Sequence, residues 1–372
     1  MNIAWLTWKD HQHPEAGGAE VVARELMKRL LADGHNVTML TCGYGNAPKR
    51  EMLDGVEVIR VGSNRYTHPF QALAYYMRHM RGKYQVLIEE VNAAPYFSVL
   101  FERKAKKYLL YHQMEGPVWF YEAKAPLSHV GHYALEPAAS RLLSLSRTPV
   151  VTVSASTASD LVRHGFHPDR THIISEGIEI EPVEDIARLQ KLDRPTVLSL
   201  GAMRAMKRTV DQIKAFEIAK AVIPELQMKI AGKNDGEYGQ KVMAEIENSP
   251  YRDDIEYLGM VSREEKAILM QKAHIILQTA VHEGWGLTVT EAASQGTPAV
   301  VYDVNGLRDS VKHYKTGLVT DPSPSSLAYG IVKILTHPDM YGQMRQAAWE
   351  WSKRITFDKS YADFKQAIGA EA

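Results

Sequence analysis

Cysteine is nearly absent from this chain. Cys42 is the single cysteine among 372 residues, so no intrachain disulfide can form, and a reducing compartment suits the protein. Nothing in the sequence around Cys42 suggests an activated thiolate. Net charge is absent too, because 44 Lys and Arg offset 44 Asp and Glu. General nucleic-acid binders show a basic excess, so that class is set aside. No apolar run reaches the roughly 18 residues that a membrane-spanning helix needs. The opening MNIAWLTWKD lacks a basic stretch followed by an apolar core, so no cleaved signal is expected. Short-period repeats and low-complexity tracts are missing as well. The expected setting is the cytoplasm, including the inner face of a membrane.

What is present is ordinary globular material, 45% hydrophobic and 24% charged. The length exceeds one core and predicts two domains of similar size. Asn2 to Trp8 reads as a buried strand, Ala19 to Asp33 as a helix with Val22, Leu26 and Leu30 on one face and Gly34 as a stop, and Asn36 to Thr41 as a second strand. That βαβ opening predicts a parallel sheet covered on both faces. Further strands are expected at Val56–Val61, Val86–Glu89, Tyr108–His112 and Pro149–Ser154. A second series follows residue 180, with strands at 195–201, 226–232, 255–261, 274–280 and 297–304 and a helix through Ala215 to Ala221. The join falls within Gly177 to Arg194, which is acidic, contains Pro182 and shows no clear strand. The fold class expected is therefore α/β, with two successive doubly wound units, and ligands are expected beyond the carboxyl ends of their strands.

Three loops after strands carry candidate chemistry. HQHPEAGGAE (11–20) places Gly17 and Gly18 at the start of the first helix. Such a pair lets backbone N–H groups face an anion, or marks a turn that needs positive φ. It is not the G-x-G-x-x-G fingerprint, and strand two ends Thr41-Cys42-Gly43 without a ribose-binding acid, which argues against a nicotinamide dehydrogenase. LSLGAMRAMKR (198–208) sets Arg204, Lys207 and Arg208 at a helix start, a diphosphate pocket or a solvated basic turn. HEGWGLTVTEAASQGTPAV (282–300) holds Glu283 and Glu291 eight positions apart. Thr288 and Glu291 fit a T-x-x-E capping box, and Gly296 fits the stop of the same helix. Glu283 precedes that cap, in a glycine turn where Gly284, Trp285, Gly286 and Leu287 offer N–H groups. His11 with His13, and His129 with His132, lack the further ligands a metal site requires.

These residues resemble a known family. Glu283 and Glu291 match the E-x7-E motif of retaining glycosyltransferases, and EGWGLTVTEAASQGTPAV is similar to glycosyltransferase family four. The likeness continues in order along the chain, through AGGAE, YHQMEG around His112, VSASTASDLVRHGF (153–166), LSLGAMRAMKR, MKIAGKN and LGMVSREE. It implies a GT-B fold of two Rossmann-like domains facing across a cleft. Residues 1–180 would form the acceptor-side domain, completed by a crossing segment 356–372, and residues 181–355 the donor-side domain. Glu283 would contact the donor sugar and Glu291 the ribose hydroxyls. Lys207, with Arg204 or Arg208, would hold the diphosphate, His112 would lie near the sugar, and Gly17 and Gly18 would close over the phosphates. Gly284 to Thr288, with Gly232 and Val261 at the ends of neighbouring strands, would complete the donor site. Two positions depart from the family pattern. Ala202 stands where many members have arginine, and Glu176 where many have asparagine.

The resemblance implies a retaining transfer of a sugar from a nucleotide-diphosphate sugar to an acceptor hydroxyl, in cell-envelope glycan, glycolipid or exopolysaccharide synthesis. An epimerase of the same fold and a non-catalytic nucleotide-sugar-binding protein are the alternatives. No D-x-D triplet occurs, so metal independence is expected, with no tightly bound cofactor. The acceptor is expected to meet loops His11–Glu15, Asn92–Tyr96 and Gln113–Trp119, where Trp119, Phe120 and Tyr121 either stack on a sugar or pack in the core. The basic and aromatic stretches 75–84 and 102–108 read either as an attraction to an anionic membrane or as solvated helix faces.

Overall fold

The computed structural model describes residues 1–64, 67–92 and 94–369. Residues 370–372 of the expected segment 356–372, and residue 93 of the expected acceptor loop, lie outside them. The chain forms two compact units. Unit one comprises Met1–Trp119, Ala125–Gly177 and the chain from Thr356 onward, and unit two comprises Phe120–Lys124 and Ile178–Ile355.

Unit one is built on β1 (Asn2–Leu6), β2 (Asn36–Thr41), β3 (Arg50–Leu53), β4 (Val56–Arg60), β5 (Val86–Glu90), β6 (Lys106–Tyr111), β7 (Val150–Thr152) and β8 (Thr171–Ile173). They form an eight-stranded sheet in the order β3-β4-β2-β1-β5-β6-β7-β8. All neighbouring pairs are parallel except β3 with β4, a hairpin closed by Asp54 and Gly55, both at positive φ, as a two-residue turn between twisted strands requires. Ile3, Ala4, Trp5 and Leu6 are fully buried, because a parallel strand is covered on both faces and reads as a continuous apolar run. The Gly18–Ala32 helix packs through Val22, Leu26 and Leu30. The Phe357–Ile368 helix also belongs to this unit. Phe364 lies 5.9 Å from the Trp5 ring, and the Tyr108 hydroxyl donates to the Ile368 carbonyl at 2.6 Å.

Unit two contains β9 (Thr196–Leu200), β10 (Gln227–Ala231), β11 (Ile255–Tyr257), β12 (Ile275–Gln278), β13 (Ala299–Tyr302) and β14 (Gly317–Thr320), all parallel, in the order β11-β10-β9-β12-β13-β14. Alternate residues of each strand serve opposite faces. Val197 and Leu277 join the core that holds Ile213, Phe216 and Ile331, whereas Leu198 and Ile276 join the one that holds Val289 and Ala292.

The strand order reverses between β9 and β12 in unit two, and between β1 and β5 in unit one. Ligands of open parallel sheets bind beyond the carboxyl ends of the strands at such switch points. In unit two this selects the loops after β9 and β12. Several expected strands are shorter than read from sequence, among them 297–304, observed as Ala299–Tyr302, and Pro149–Ser154, observed as Val150–Thr152. Residues 255–261 pair only to Tyr257, because Gly259 adopts φ +70, and Val261 therefore lies in a loop. Among the described residues no helix is long and apolar enough to cross a membrane.

Candidate functional site

The two selected loops of unit two are bonded to each other through their backbones. Val281 N–H donates to the Met206 carbonyl at 2.8 Å. The buried Thr279 hydroxyl reaches the carbonyls of Lys207 and Arg208 at 2.8 and 3.1 Å, and Gln212 holds the same hydroxyl at 2.8 Å. This framework sets the Lys207 ammonium against the Glu283 carboxylate as a direct ion pair, with side chains 29% and 16% exposed. Glu283 is fixed from its other side, its N–H donating to Asn305 O at 3.1 Å. A Cβ on Gly306 would fall 2.2 Å from the Glu283 carbonyl, so the glycine is what lets the two loops approach.

The basic cluster is partly exposed, and two of its three cations have acidic partners. Arg204 binds Glu122 through Nε at 3.1 Å and Nη2 at 2.5 Å. Arg208 donates to the Tyr121 hydroxyl at 3.1 Å and lies 5.8 Å from its ring centre. Each of the three cations therefore has a partner within the chain. Arg208 caps the Thr209–Lys220 helix at φ +52, a left-handed conformation costly for any residue with a Cβ.

The capping box expected at Thr288 and Glu291 does not form. The helix runs Leu287–Ser294 and starts from Gly286, at φ +98 with no side-chain cap. Thr288 is thus the second helical residue and Glu291 the fifth. The N–H groups of Gly284, Trp285, Gly286 and Leu287 meet no protein acceptor among the described residues. The stop does form as expected. Gly296, at φ +70, donates to Ala293 O at 3.0 Å, and Thr297 donates to Ala292 O at 2.9 Å, a Schellman ending. Glu291, freed of a capping role, is buried against Lys266 Nζ at 2.5 Å. Burial raises its carboxyl above the usual range, and Lys266 opposes that rise without cancelling it. The Trp285 ring lies 6.3 Å from that of Trp351. Gly232 has φ +150, and a Cβ there would fall 1.9 Å from Gly201 O, so the loops after β9 and β10 touch through glycine backbone. Val261 packs against the Val289 core.

In unit one the loop after β1 is anchored by Asp10, whose carboxylate takes Arg60 Nε at 2.8 Å with both side chains buried. Gly17 is the N-cap of the first helix, at φ −141, and its N–H donates to Glu20 at 2.6 Å. A Cβ there would find nothing nearer than 3.8 Å. The reading of this pair as a positive-φ turn is therefore overturned, and Gly17 and Gly18 are both exposed. His112 follows β6, with Nε2 3.4 Å from Glu90 Oε1. Burial would lower its pKa, but the charges of Glu90, Glu176 and Glu20 outweigh burial and raise it. Burial would likewise raise Glu90, yet His112 and Trp5 hold it below its ordinary value. Cys42 is buried, and burial keeps its thiol protonated. Among the described residues no group of three or more His, Cys, Asp or Glu could hold a metal ion.

Residues 16–182 match the family described as Glycosyltransferase Family 4, and residues 183–351 match Glycosyl transferases group 1. The chain belongs to glycosyltransferase family 4. The transferase has a GT-B fold and is a retaining enzyme that moves a sugar from a nucleotide sugar. It is 23% identical over 370 residues to an uncharacterized glycosyltransferase of Methanocaldococcus jannaschii, covering 90% of this chain and 89% of that one. Among solved structures, sucrose-phosphate synthase of Thermosynechococcus elongatus superposes with a TM-score of 0.82 at 20% identity, over all of both chains. Anabaena HepE, solved with UDP-glucose, gives 0.75 at 14% identity, also over all of both.

Several partners at the transferase's site were not found from sequence. Glu122 and Tyr121 lie more than 80 positions from the arginines they hold, and nothing local signals that pairing. Trp119 is packed in unit one, its Nε1 donating to Glu136 at 3.1 Å, whereas Phe120 and Tyr121 are 40% and 39% exposed. Lys266 and Thr279 were also missed. Thr279 was accessible to reasoning, as a polar residue ending the apolar run HIILQTA beside a candidate loop.

Proposed function

We propose that this transferase moves a sugar from a UDP-sugar to an acceptor hydroxyl, with unit two holding the donor and unit one the acceptor. The observation that carries the donor assignment is the Lys207–Glu283 pair at the unit-two switch point, beside the unclaimed N–H groups of Gly284 to Leu287. When donor binds, Lys207 exchanges Glu283 for the diphosphate, and Glu283 is released to the hydroxyls of the sugar. Arg204 and Arg208 add positive charge, and the N–H groups at the start of the Leu287–Ser294 helix complete the phosphate cradle. Glu291 accepts from the ribose diol, for which a carboxylate is a two-oxygen acceptor. Gly232, Val261 and Trp285 shape the walls around the nucleoside. In unit one, Gly17 and Gly18 are read as diphosphate contacts and His112 as a contact to the sugar. The UDP-glucose complex of HepE supports uridine as the base.

Retention fits attack from the leaving-group face. The C–O bond to the diphosphate breaks, the acceptor oxygen bonds to the anomeric carbon, and a diphosphate oxygen takes the acceptor proton. Lys207 and the helix N–H groups stabilise the charge that develops, a contribution of about 3–4 kcal/mol for a well-placed donor. The acceptor is proposed to belong to envelope-glycan, glycolipid or exopolysaccharide synthesis. Leu100 and Phe101 are exposed beside exposed Arg103 and Lys104, a combination that suits an anionic membrane surface. Thermal-shift screening of nucleotide sugars tests the donor, because a ligand bound only by the folded state raises its stability by mass action. Stabilisation by UDP-sugars over other nucleotide sugars is expected, and equal response to every base would refute the uridine assignment. Sedimentation with anionic vesicles tests the membrane surface, and binding that does not weaken with salt would count against it.

A further inference from the structure

Among the buried side-chain atoms of unit one that lack a hydrogen-bond partner among the described residues are His112 Nε2, whose nearest printed contact is Glu90 Oε1 at 3.4 Å, and Glu176 Oε2. They belong to one cluster. The imidazole feels three carboxyl groups, those of Glu90, Glu176 and Glu20. Two of these are provided for. Glu90 accepts from Trp5 Nε1 at 2.9 Å and Asn92 Nδ2 at 3.4 Å. Glu20 accepts from Gly17 N–H at 2.6 Å and pairs with Lys9 at 3.4 Å. Glu176 is not. It is 3% exposed, and among the described residues Gly177 N–H and His112 are the groups that offset its burial.

Its main chain is clamped. Ser175 donates to Asp363 through N–H at 3.1 Å and through its hydroxyl at 2.9 Å. A Cβ at Gly177 would fall 2.3 Å from the Phe357 ring. The backbone on both sides of Glu176 is thus held, and a buried carboxylate with few donors is poorly solvated. The family pattern places an uncharged asparagine at this position in many members.

We propose that Glu176 is a positioning residue acting through His112: buried with too few donors for a carboxylate, it decides whether the imidazole faces one ionised partner, Glu90, or two. The proposal rests on the reading of His112 as a substrate contact. Burial sets the Glu176 carboxyl at about 7, so the balance shifts within the physiological range. Below that pH Glu176 adds no charge to the cluster it forms with His112 and Glu90. Above it Glu176 ionises, and the added negative charge opposes an anionic diphosphate. Donor binding should then take up a proton and weaken as pH rises.

The test uses Glu176→Gln in the full chain, with Glu176→Asn as the second variant should the first fail to fold. His112 is titrated by NMR on protein carrying 13C-labelled histidine, without ligand. Loss of the ionisable neighbour should lower the His112 midpoint by about one pH unit, and an unchanged midpoint would overturn the proposal whatever the activity. UDP-glucose affinity is then measured across pH 6 to 8 in two buffers of different ionisation enthalpy. The wild type should lose roughly tenfold in affinity per pH unit above the Glu176 midpoint, with proton uptake, since one proton is linked to binding. Both effects should vanish in the variant. A shifted His112 midpoint with the pH dependence of binding intact would refute the positioning role. Failure of His112→Ala to reduce turnover would instead strike the reading of His112, and leaves the NMR result as the judge of the coupling.

Discussion

Replacing Lys207 by methionine separates two roles of one ammonium group. In the donor-free chain Lys207 pairs with Glu283, and the two side chains are 29% and 16% exposed. An ion pair so placed is screened by solvent and contributes at most about 1 kcal/mol to stability. The loop itself should hold its course, because Val281 N–H donates to Met206 O and the Thr279 hydroxyl donates to the Lys207 carbonyl, neither involving the Lys207 side chain. Methionine keeps the apolar stem. On the proposed reading the same ammonium faces a leaving diphosphate in the reaction, where a well-placed donor contributes about 3–4 kcal/mol. At 1.36 kcal/mol per decade, that loss corresponds to a roughly 150- to 900-fold drop in turnover at saturating donor. Release of nucleoside diphosphate, with melting followed in parallel, measures both. The expected pattern is a Tm lowered by no more than about 2–4 °C beside a fall in kcat of two to three decades. Glu283→Gln and the double variant complete a cycle, and coupling in kcat larger than coupling in stability marks the pair as chemical. Turnover of Lys207→Met within about threefold of wild type would refute the reasoning, because the pair would then be a surface salt bridge and nothing more.

Arg208→Gly should release the left-handed strain at φ +52, raise stability by about 1 kcal/mol and weaken donor binding; a variant that melts lower would show that the Tyr121 contact outweighs the strain. Gly232→Ala forces a Cβ to 1.9 Å from Gly201 O at φ +150, and unit two should lose several kcal/mol of stability, read as an early-melting transition. Glu176 has a folded pKa of about 7 against an ordinary 4.5. The folded chain therefore binds the extra proton, and its contribution is full below about pH 4.5 and lost as pH rises through about 7, on the order of 3 kcal/mol in all. The difference in Tm between pH 5 and pH 8 should shrink in Glu176→Gln, and an undiminished difference would show that other groups govern it.

Much of the scaffold was legible because parallel strands buried on both faces must be apolar throughout. Asn36 to Thr41 was read with both of its ends, and the apolar middles of β1, β5, β9, β10, β12 and β13 were all located. The failures have local causes. Arg50–Leu53 is a polar edge strand with no apolar signature, although Asp54-Gly55 was a readable hairpin turn. Residues 258–261 look strand-like by composition, but the left-handed Gly259 diverts the chain. At Thr288 and Glu291 a correct motif was matched to the wrong helix start, since Gly286 begins the helix with no side-chain cap. The candidate residues could be named one by one from the sequence, and what joins them could not. Lys207 and Glu283 are 76 positions apart, and their pairing follows from the order of β9 and β12 in the sheet, which no local spacing encodes.

The short segment Phe120–Lys124 has a consequence for modularity. It lies deep within the N-terminal stretch of the chain yet belongs to unit two, where Glu122 and Tyr121 hold Arg204 and Arg208. A chimera joined at residue 177, taking its first half from one relative and its second from another, would part these two arginines from the residues that hold them. Donor specificity transplanted by such a swap should therefore arrive incomplete unless residues 120–124 travel with the second half.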